Sequence, residues 1–295
     1  MQRLESALGE AADAVNRTLD RLVPPVDGAE RRVVDAMRYA LMGGGKRIRP
    51  FLVLNSARLF DTPETGALRT AAAIEMIHSY SLVHDDLPAM DNADLRRGRP
   101  SVHRQFDEAT AILAGDGLLT QAFEVVGYAE THADPLVRAN LVLALARAAG
   151  TAGMVGGQMI DLAAQHAALD LESITRLQRM KTGAIIGFSC EAGAILASAP
   201  VEARQALQRY AEDLGLAFQI ADDLLDVESS AAVTGKPVGQ DQVAGKATFV
   251  AVLGVDEARR RARLISDRAA SHLEMFGQRA DLLRDMARFV VDRRS

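Results

Sequence analysis

The sequence predicts an all-α protein, a bundle of about ten helices, and three observations carry that prediction. Ala, Leu, Glu and Arg are abundant, and the 295 residues include only 9 prolines. Apolar residues recur at helical spacing with no convincing alternation of period two. Turn-forming residues fall in separated clusters, with helix-like stretches between them, at Pro24-Pro25, Gly43 to Gly45, Asp61 to Pro63, Asp134-Pro135, Gly156-Gly157, Ala199-Pro200, Thr234 to Pro237 and Gly254. No repeat, low-complexity tract or linker divides the chain, so a single domain over 1–295 is expected.

Bulk properties narrow the function class. A hydrophobic content of 48% is enough for a large core. The net charge of -5 gives no electrostatic reason for nucleic acid or an anionic membrane surface as partner, so an anionic ligand must be held locally. Cys190 is the only cysteine. It excludes an intrachain disulfide and a thiolate metal site, fits a reducing compartment, and is expected as a small buried apolar residue. The start, Met-Gln-Arg-Leu-Glu, lacks the basic end and apolar core of a signal peptide, and no run is read as a membrane span. A soluble cytoplasmic protein is expected.

The first element with chemical content is Gly43-Gly-Gly-Lys46-Arg47-Ile48-Arg49-Pro50, which joins one helix to the next, with Pro50 suited to a helix start. Its glycines permit close backbone approach, and Lys46 and Arg49 are phosphate donors. It lacks the nucleotide P-loop pattern. Between Arg69 and Asp86 the pattern is helical and puts His78, Leu82 and Asp85 on one face. In the run Asp85-Asp86-Leu87-Pro88-Ala89-Met90-Asp91, a straight helix would leave Asp91 about 120° from Asp85. Pro88 removes an amide donor and clashes with the preceding turn, so the helix should break there and allow Asp91 to return toward Asp85. Asp94-Leu95-Arg96-Arg97-Gly98 then supplies two guanidinium groups in a turn.

From Ala203 to Val227 the apolar positions Leu207, Ala211, Leu214, Phe218, Ala221 and Leu225 form one buried stripe at 4-3-4-3-4 spacing. Gly215, Gln219, Asp222 and Asp226 form an adjacent stripe, with Asp223 beside it. Like charges one turn apart repel, so such a row needs a cation or open solvent. Two carboxylate clusters facing one cavity would repel an anionic substrate unless divalent cations lay between them, and magnesium suits an all-oxygen donor set shared with phosphates. Lys181-Thr182-Gly183, Gly235-Lys236 and Lys246 are unremarkable singly.

Taken together and in this order, the glycine-rich basic loop, His78 to Asp91, Leu95 to Gly98, Gly156-Gly-Gln-Met-Ile-Asp161, Lys181-Thr182, Gln219 to Asp226 and Gly245-Lys-Ala-Thr248 resemble the trans-isoprenyl diphosphate synthase family, most closely its bacterial farnesyl diphosphate synthases. The motifs cover roughly residues 40 to 255.

That resemblance implies an all-α fold around a central cavity, commonly a homodimer. It also implies head-to-tail condensation of isopentenyl diphosphate with an allylic diphosphate, assisted by three magnesium ions. Asp85, Asp91 and Asp222 would ligate metal, with Asp86 and Asp226 as close support. Arg96, Lys181, Lys236 and Gln219 would serve the allylic substrate, and Gly45, Lys46, Arg49, His78 and Arg97 the isopentenyl diphosphate. Lys246 joins the substrate-binding candidates. The carbonyls of Lys181 and Thr182 and the side chain of Gln219 resemble the dipoles that stabilise an allylic cation. Tyr80, with small Ser81 beside it, resembles the bulky floor that limits products to farnesyl length.

Two departures stand out. Asn92 and Ala93 occupy positions where relatives often carry acids, and Phe249-Val250 replaces a frequent Tyr-Pro. A geranylgeranyl or geranyl diphosphate synthase is the main alternative. A terpene cyclase is disfavoured by Asp226 and Ser230 in the second motif, and a noncatalytic partner subunit by the presence of both aspartate clusters.

Overall fold

A computed structural model of the chain describes residues 2–164, 169–228 and 248–292. The expected helices form: α1 (Gln2–Leu22), α2 (Arg31–Leu41), α3 (Ile48–Arg58), α4 (Glu64–Asp85), α5 (Val102–Gln105), α6 (Glu108–Gly127), α7 (Pro135–Ala149), α8 (Met154–Ala163), α9 (Leu171–Gln178), α10 (Ala184–Leu196), α11 (Val201–Glu228), α12 (Phe249–Leu253), α13 (Val255–Ser271) and α14 (Asp281–Asp292). Among the described residues the segments outnumber the expected ten. One reason is that a π turn at Arg179–Gly183 separates α9 from α10. Two two-residue strands, β1 (Leu95–Arg96) and β2 (Arg99–Pro100), were not expected.

Local chemistry explains the boundaries. Asp107, Asp134 and Asp170 accept backbone N–H groups at the starts of α6, α7 and α9, from Thr110, Leu136 and Ser173 respectively. Thr248 does the same for Ala251 at the start of α12. Pro50 is the third residue of α3, still within the first turn where its missing donor costs no helical bond.

The expected break at Gly156-Gly157 is corrected by the structure, because both lie inside α8 and the chain turns earlier, near Gly150. The pair serves packing. A Cβ on Gly157 would lie 2.2 Å from the backbone nitrogen of Lys181, so only glycine lets α8 lie against the π turn.

α4 sits at the centre. Nearly every residue from Gly66 to Tyr80 is buried, as expected of a helix apolar on all sides, and it packs between α3 and α6. α10 bridges α3, α7 and α11, and α13 covers α11. Leu207, Ala211, Leu214 and Ala221 of the stripe predicted on α11 are buried, while Phe218 and Leu225 are half-buried. A second apolar cluster joins Ile220 and Leu224 of α11 to Phe249 and Ala262. Cys190 is fully buried, and burial raises its thiol pKa.

Contrary to the expectation of no membrane span, two stretches, Glu108–Gly127 and Pro135–Ala163, reach the length and hydropathy of one. Both take part in the bundle: α6 lies against α4 and α2, and α7 against α10.

Candidate active site

The first aspartate cluster closes on itself as the proline break required. α4 ends at Asp85, and the chain then curls so that the Asp91 N–H donates to the Asp85 carbonyl at 2.8 Å. The loop is tied further by Asn92 N–H to the Leu87 carbonyl and Ala93 N–H to the Asp86 carbonyl. Asn92 has a φ of 47°, a left-handed conformation that asparagine tolerates better than most residues.

The Asp85 carboxyl is pushed up to about 6. Burial is the main cause; Asp91 and Asp86 add to it, while Lys181 and Arg96 oppose it. Asp86 turns inward, with 2% of its surface exposed, and accepts Arg96 Nε at 3.0 Å along with a second guanidinium nitrogen.

The hairpin β1–β2 explains how Arg96 arrives there. Its two turn residues, Arg97 and Gly98, have φ of 53° and 74°, the tight turn whose twist suits two antiparallel strands. Arg96 precedes the turn and reaches Asp86, while Arg97 folds back to donate to the Gly44 carbonyl. A Cβ on Gly45 would lie 2.6 Å from Arg97 Nη1, so the glycine lets the loop and the guanidinium stack closely.

Beneath this loop Arg49 Nη1 lies 3.5 Å from His78 Nε2. Burial lowers the Arg49 pKa, opposed by the charges of Glu75 and Asp222. His78 is held well below its usual value, first by burial and then by Arg49, Arg97, Arg47 and Arg96, so its ring is neutral near pH 7. The Lys46 ammonium lies 5.9 Å from the Phe289 ring of α14. A small cleft beside the hairpin is lined by Gly43, Ser79, Asp86, Arg96 and Arg97.

On α11, Asp222 is exposed, and Gln219 and Asp226 are half-buried. Asp223 faces the other way. It is 5% exposed and accepts the Phe249 N–H at 2.7 Å, anchoring α12. Thus Phe249-Val250, one of the departures from the usual pattern, is seated on an acid of the second cluster.

The two halves share one electrostatic environment. Lys181 acts on Asp85, and Asp222 acts on Arg49. Lys181 sits in the π turn, donates to Asp161 Oδ2 at 2.6 Å, and is followed by half-buried Thr182. Such π turns recur at functional positions. Tyr80 is buried, packs edge-on against His84, and has its hydroxyl pushed up to about 12 by burial and then by Asp85. Ser81 donates to the His78 carbonyl. Lys236 and Lys246 lie outside the described residues.

Sequence reasoning gave no role to Asp161, Arg47 or Glu75. Glu75 carried a usable signal, a lone acid inside the apolar run Ala71 to Ile77, which demands a buried cation.

Among the described residues, no three His, Cys, Asp or Glu side chains converge closely enough to hold a metal alone. The donor set still fits magnesium, which is usually held by one or two carboxylates with phosphate and water filling the remaining positions. A carboxyl raised first by burial and further by neighbouring carboxylates is one whose ionised form a cation would stabilise. Among the described residues, none of the predicted site residues lines a larger groove between α7, α10 and α11.

Known proteins are similar to this chain in sequence and fold. The family model described as polyprenyl synthetase matches residues 30–280. The farnesyl diphosphate synthase of Geobacillus stearothermophilus is 44% identical over 92% of this chain and 91% of its own length. That of Escherichia coli (strain K12) is 42% identical over 99% and 98%. A crystal structure of an FPP/GFPP synthase from Zymomonas mobilis, in its apo form, superposes with a TM-score of 0.90 at 48% identity, covering 98% of this chain and 99% of that one.

Proposed function

The chain belongs to the polyprenyl synthetase family, and on that premise we propose that it condenses isopentenyl diphosphate head-to-tail with dimethylallyl and then geranyl diphosphate, giving farnesyl diphosphate and pyrophosphate. The carrying observation is the return of Asp91 to Asp85 beside Lys181 and Arg96, with Asp222 close enough to act on Arg49. We read residues 1–295 as one catalytic domain, since these groups come from α3, α4, the hairpin, the π turn and α11.

Asp85, Asp91 and Asp222, with Asp226 beside them, would hold magnesium, which when bound supplies Lewis-acid neutralisation of the diphosphate oxygens, and Asp86 gives close support from behind by fixing Arg96. Arg96, fixed by Asp86, and Lys181, fixed by Asp161, orient the allylic diphosphate from the protein side. Lys236 is assigned to the same substrate, and Lys246 also to substrate binding. The Lys181 and Thr182 carbonyls and the Gln219 amide oxygen present negative dipoles to the allylic cation left after ionisation. The apolar wall of α4 excludes water that would capture that cation. Gly45, Lys46, Arg49, His78 and Arg97 receive isopentenyl diphosphate. His78, neutral and flanked by arginines, is a hydrogen-bonding group. The final proton passes to the released pyrophosphate, with no side chain needed as base.

Tyr80, buried below Asp85 and backed by His84, sets the product length. Incubating the purified chain with isopentenyl diphosphate, geranyl diphosphate and magnesium, then sizing the product by chromatography, is expected to give farnesyl diphosphate. Tyr80→Ala should yield longer products; an unchanged product would sink the assignment of Tyr80. The name of the Zymomonas relative joins two products, which keeps a longer-chain product as the second reading.

We further propose a cytoplasmic homodimer. Ile112 and Leu113 of α6 and Leu136 and Leu143 of α7 are large apolar side chains left exposed, a surface suited to burial against a second copy. Light scattering showing only monomer at micromolar concentration would reject it.

A further inference from the structure

Arg47 stands in the middle of the basic loop yet reaches no solvent. Its side chain is 1% exposed and that of its partner, Glu75, 3%. Each of its guanidinium nitrogens meets the protein: Nε donates to Asn16 Oδ1 at 3.1 Å, Nη1 to Glu75, and Nη2 to the Leu41 carbonyl. One side chain thereby joins α1, the end of α2 and the middle of α4. Three of its five N–H donors are used in these bonds and the side chain is buried, so Arg47 does not reach a substrate as its neighbours can.

Its backbone is equally unusual. Arg47 has a φ of 48°, a left-handed conformation that is unfavourable for a residue with a Cβ. The Arg47 carbonyl accepts the Phe51 N–H at 2.9 Å, so this strained residue also starts α3. Such an outlier persists only where its surroundings over-determine it, and such residues cluster at ligand clamps. Here the buried ion pair is what holds it.

Glu75 has a second effect. Its charge favours the protonated forms of Arg49 and Arg97 as well as pairing with Arg47. Without that carboxylate, three guanidiniums and His78 would face one another with no anion on this side.

We propose that the buried Arg47–Glu75 pair is the positioning device of the isopentenyl diphosphate site: it pins the Gly43 to Arg49 loop from below, so that Lys46 and Arg49 are presented to the diphosphate, while Glu75 offsets the crowding of Arg49 and Arg97 before that anion arrives. The inference rests on the assignment of this loop to isopentenyl diphosphate. Neither residue touches substrate, and both act through their neighbours.

The test separates the two substrates. In Glu75→Gln, the KM for isopentenyl diphosphate and its calorimetric Kd should rise about tenfold, while the KM for geranyl diphosphate changes less than about threefold. The double variant Arg47→Met, Glu75→Leu replaces the pair with apolar side chains of similar size, which commonly preserves stability. It should recover the wild-type melting temperature without recovering the isopentenyl diphosphate KM. Recovery of both would show the pair to be mere filling and overturn the proposal.

Should these variants fold poorly, Asn16→Leu removes only the 3.1 Å bond to Arg47. It should still raise the KM for isopentenyl diphosphate about threefold; no change there, or equal changes for both substrates, would likewise overturn the proposal. A wild-type protein that neither binds nor consumes isopentenyl diphosphate would instead reject the assigned reaction.

Discussion

The two aspartate clusters have similar composition and reach the site by different routes. On α11 the helix runs straight from Val201 to Glu228, and the spacing of four between Asp222 and Asp226 alone puts both acids on one stripe. At the end of α4 the helix stops at Asp85, and Asp91 returns because its N–H finds the Asp85 carbonyl across a loop broken at Pro88. Each cluster also turns one acid inward. Asp86 clasps Arg96 of the hairpin, and Asp223 anchors the start of α12. An acid-rich motif is therefore not a set of equivalent ligands: outward members are available to cations, and inward members hold the neighbouring chain in place.

Exchanging the roles should break that comparison most visibly among the outward acids. Asp85→Ala or Asp222→Ala is expected to lower kcat by about 10³-fold or more with the helical circular dichroism signal unchanged, measured with saturating isopentenyl and geranyl diphosphates. Near-wild-type rates in both would defeat the assigned metal site.

The inward acids should differ from these and from each other. Asp223→Asn is expected to cost roughly 1 to 3 kcal/mol in urea unfolding while leaving kcat within about threefold, because it weakens a charge-assisted bond to a backbone amide. Asp86→Asn should reduce both stability and turnover, since Arg96 loses the partner that orients it.

Backbone closeness gives the next effect. Gly157→Ala would place a methyl group 2.2 Å from the Lys181 nitrogen, and α8 or the π turn must move. A loss of about 1 to 3 kcal/mol in stability is expected, together with a raised KM for the allylic substrate, because Lys181 and its Asp161 partner lie on the two elements forced apart.

The smallest effect concerns His78. Its folded-state pKa is depressed, so the unfolded chain binds the proton more readily, and stability falls as pH drops below about 6.5 toward the folded value. Denaturant unfolding at pH 7.5 and 5.0 should show the wild type losing up to ~1.4 kcal/mol per pH unit relative to His78→Gln across that window. Equal pH slopes for the two proteins would mean that His78 is not held neutral.

Much of the fold was legible because helices announce themselves through local spacing. The Leu207 to Ala221 stripe, the acid face of Asp222 and Asp226, and the break at Pro88 all follow from backbone geometry within a few residues. The Gly156-Gly157 pair was misread as a turn, since glycine is equally suited to close packing and only the neighbour at Lys181 distinguishes the two. The hairpin strands were missed because two residues each are too few to show alternation.

By itself, then, the sequence determined the helical class, the order of the motifs and the residue types able to hold phosphate and metal. Tertiary structure alone decided which acids turn inward and which stay accessible, that Arg47 is buried while Lys46 is exposed and Arg49 half-buried, and that Asp161 pairs with Lys181. The reason is physical. Spacing specifies a face of one helix, whereas a charge's role depends on its partners, and Glu75 meets Arg47 across 28 positions of chain only once α3 and α4 have packed.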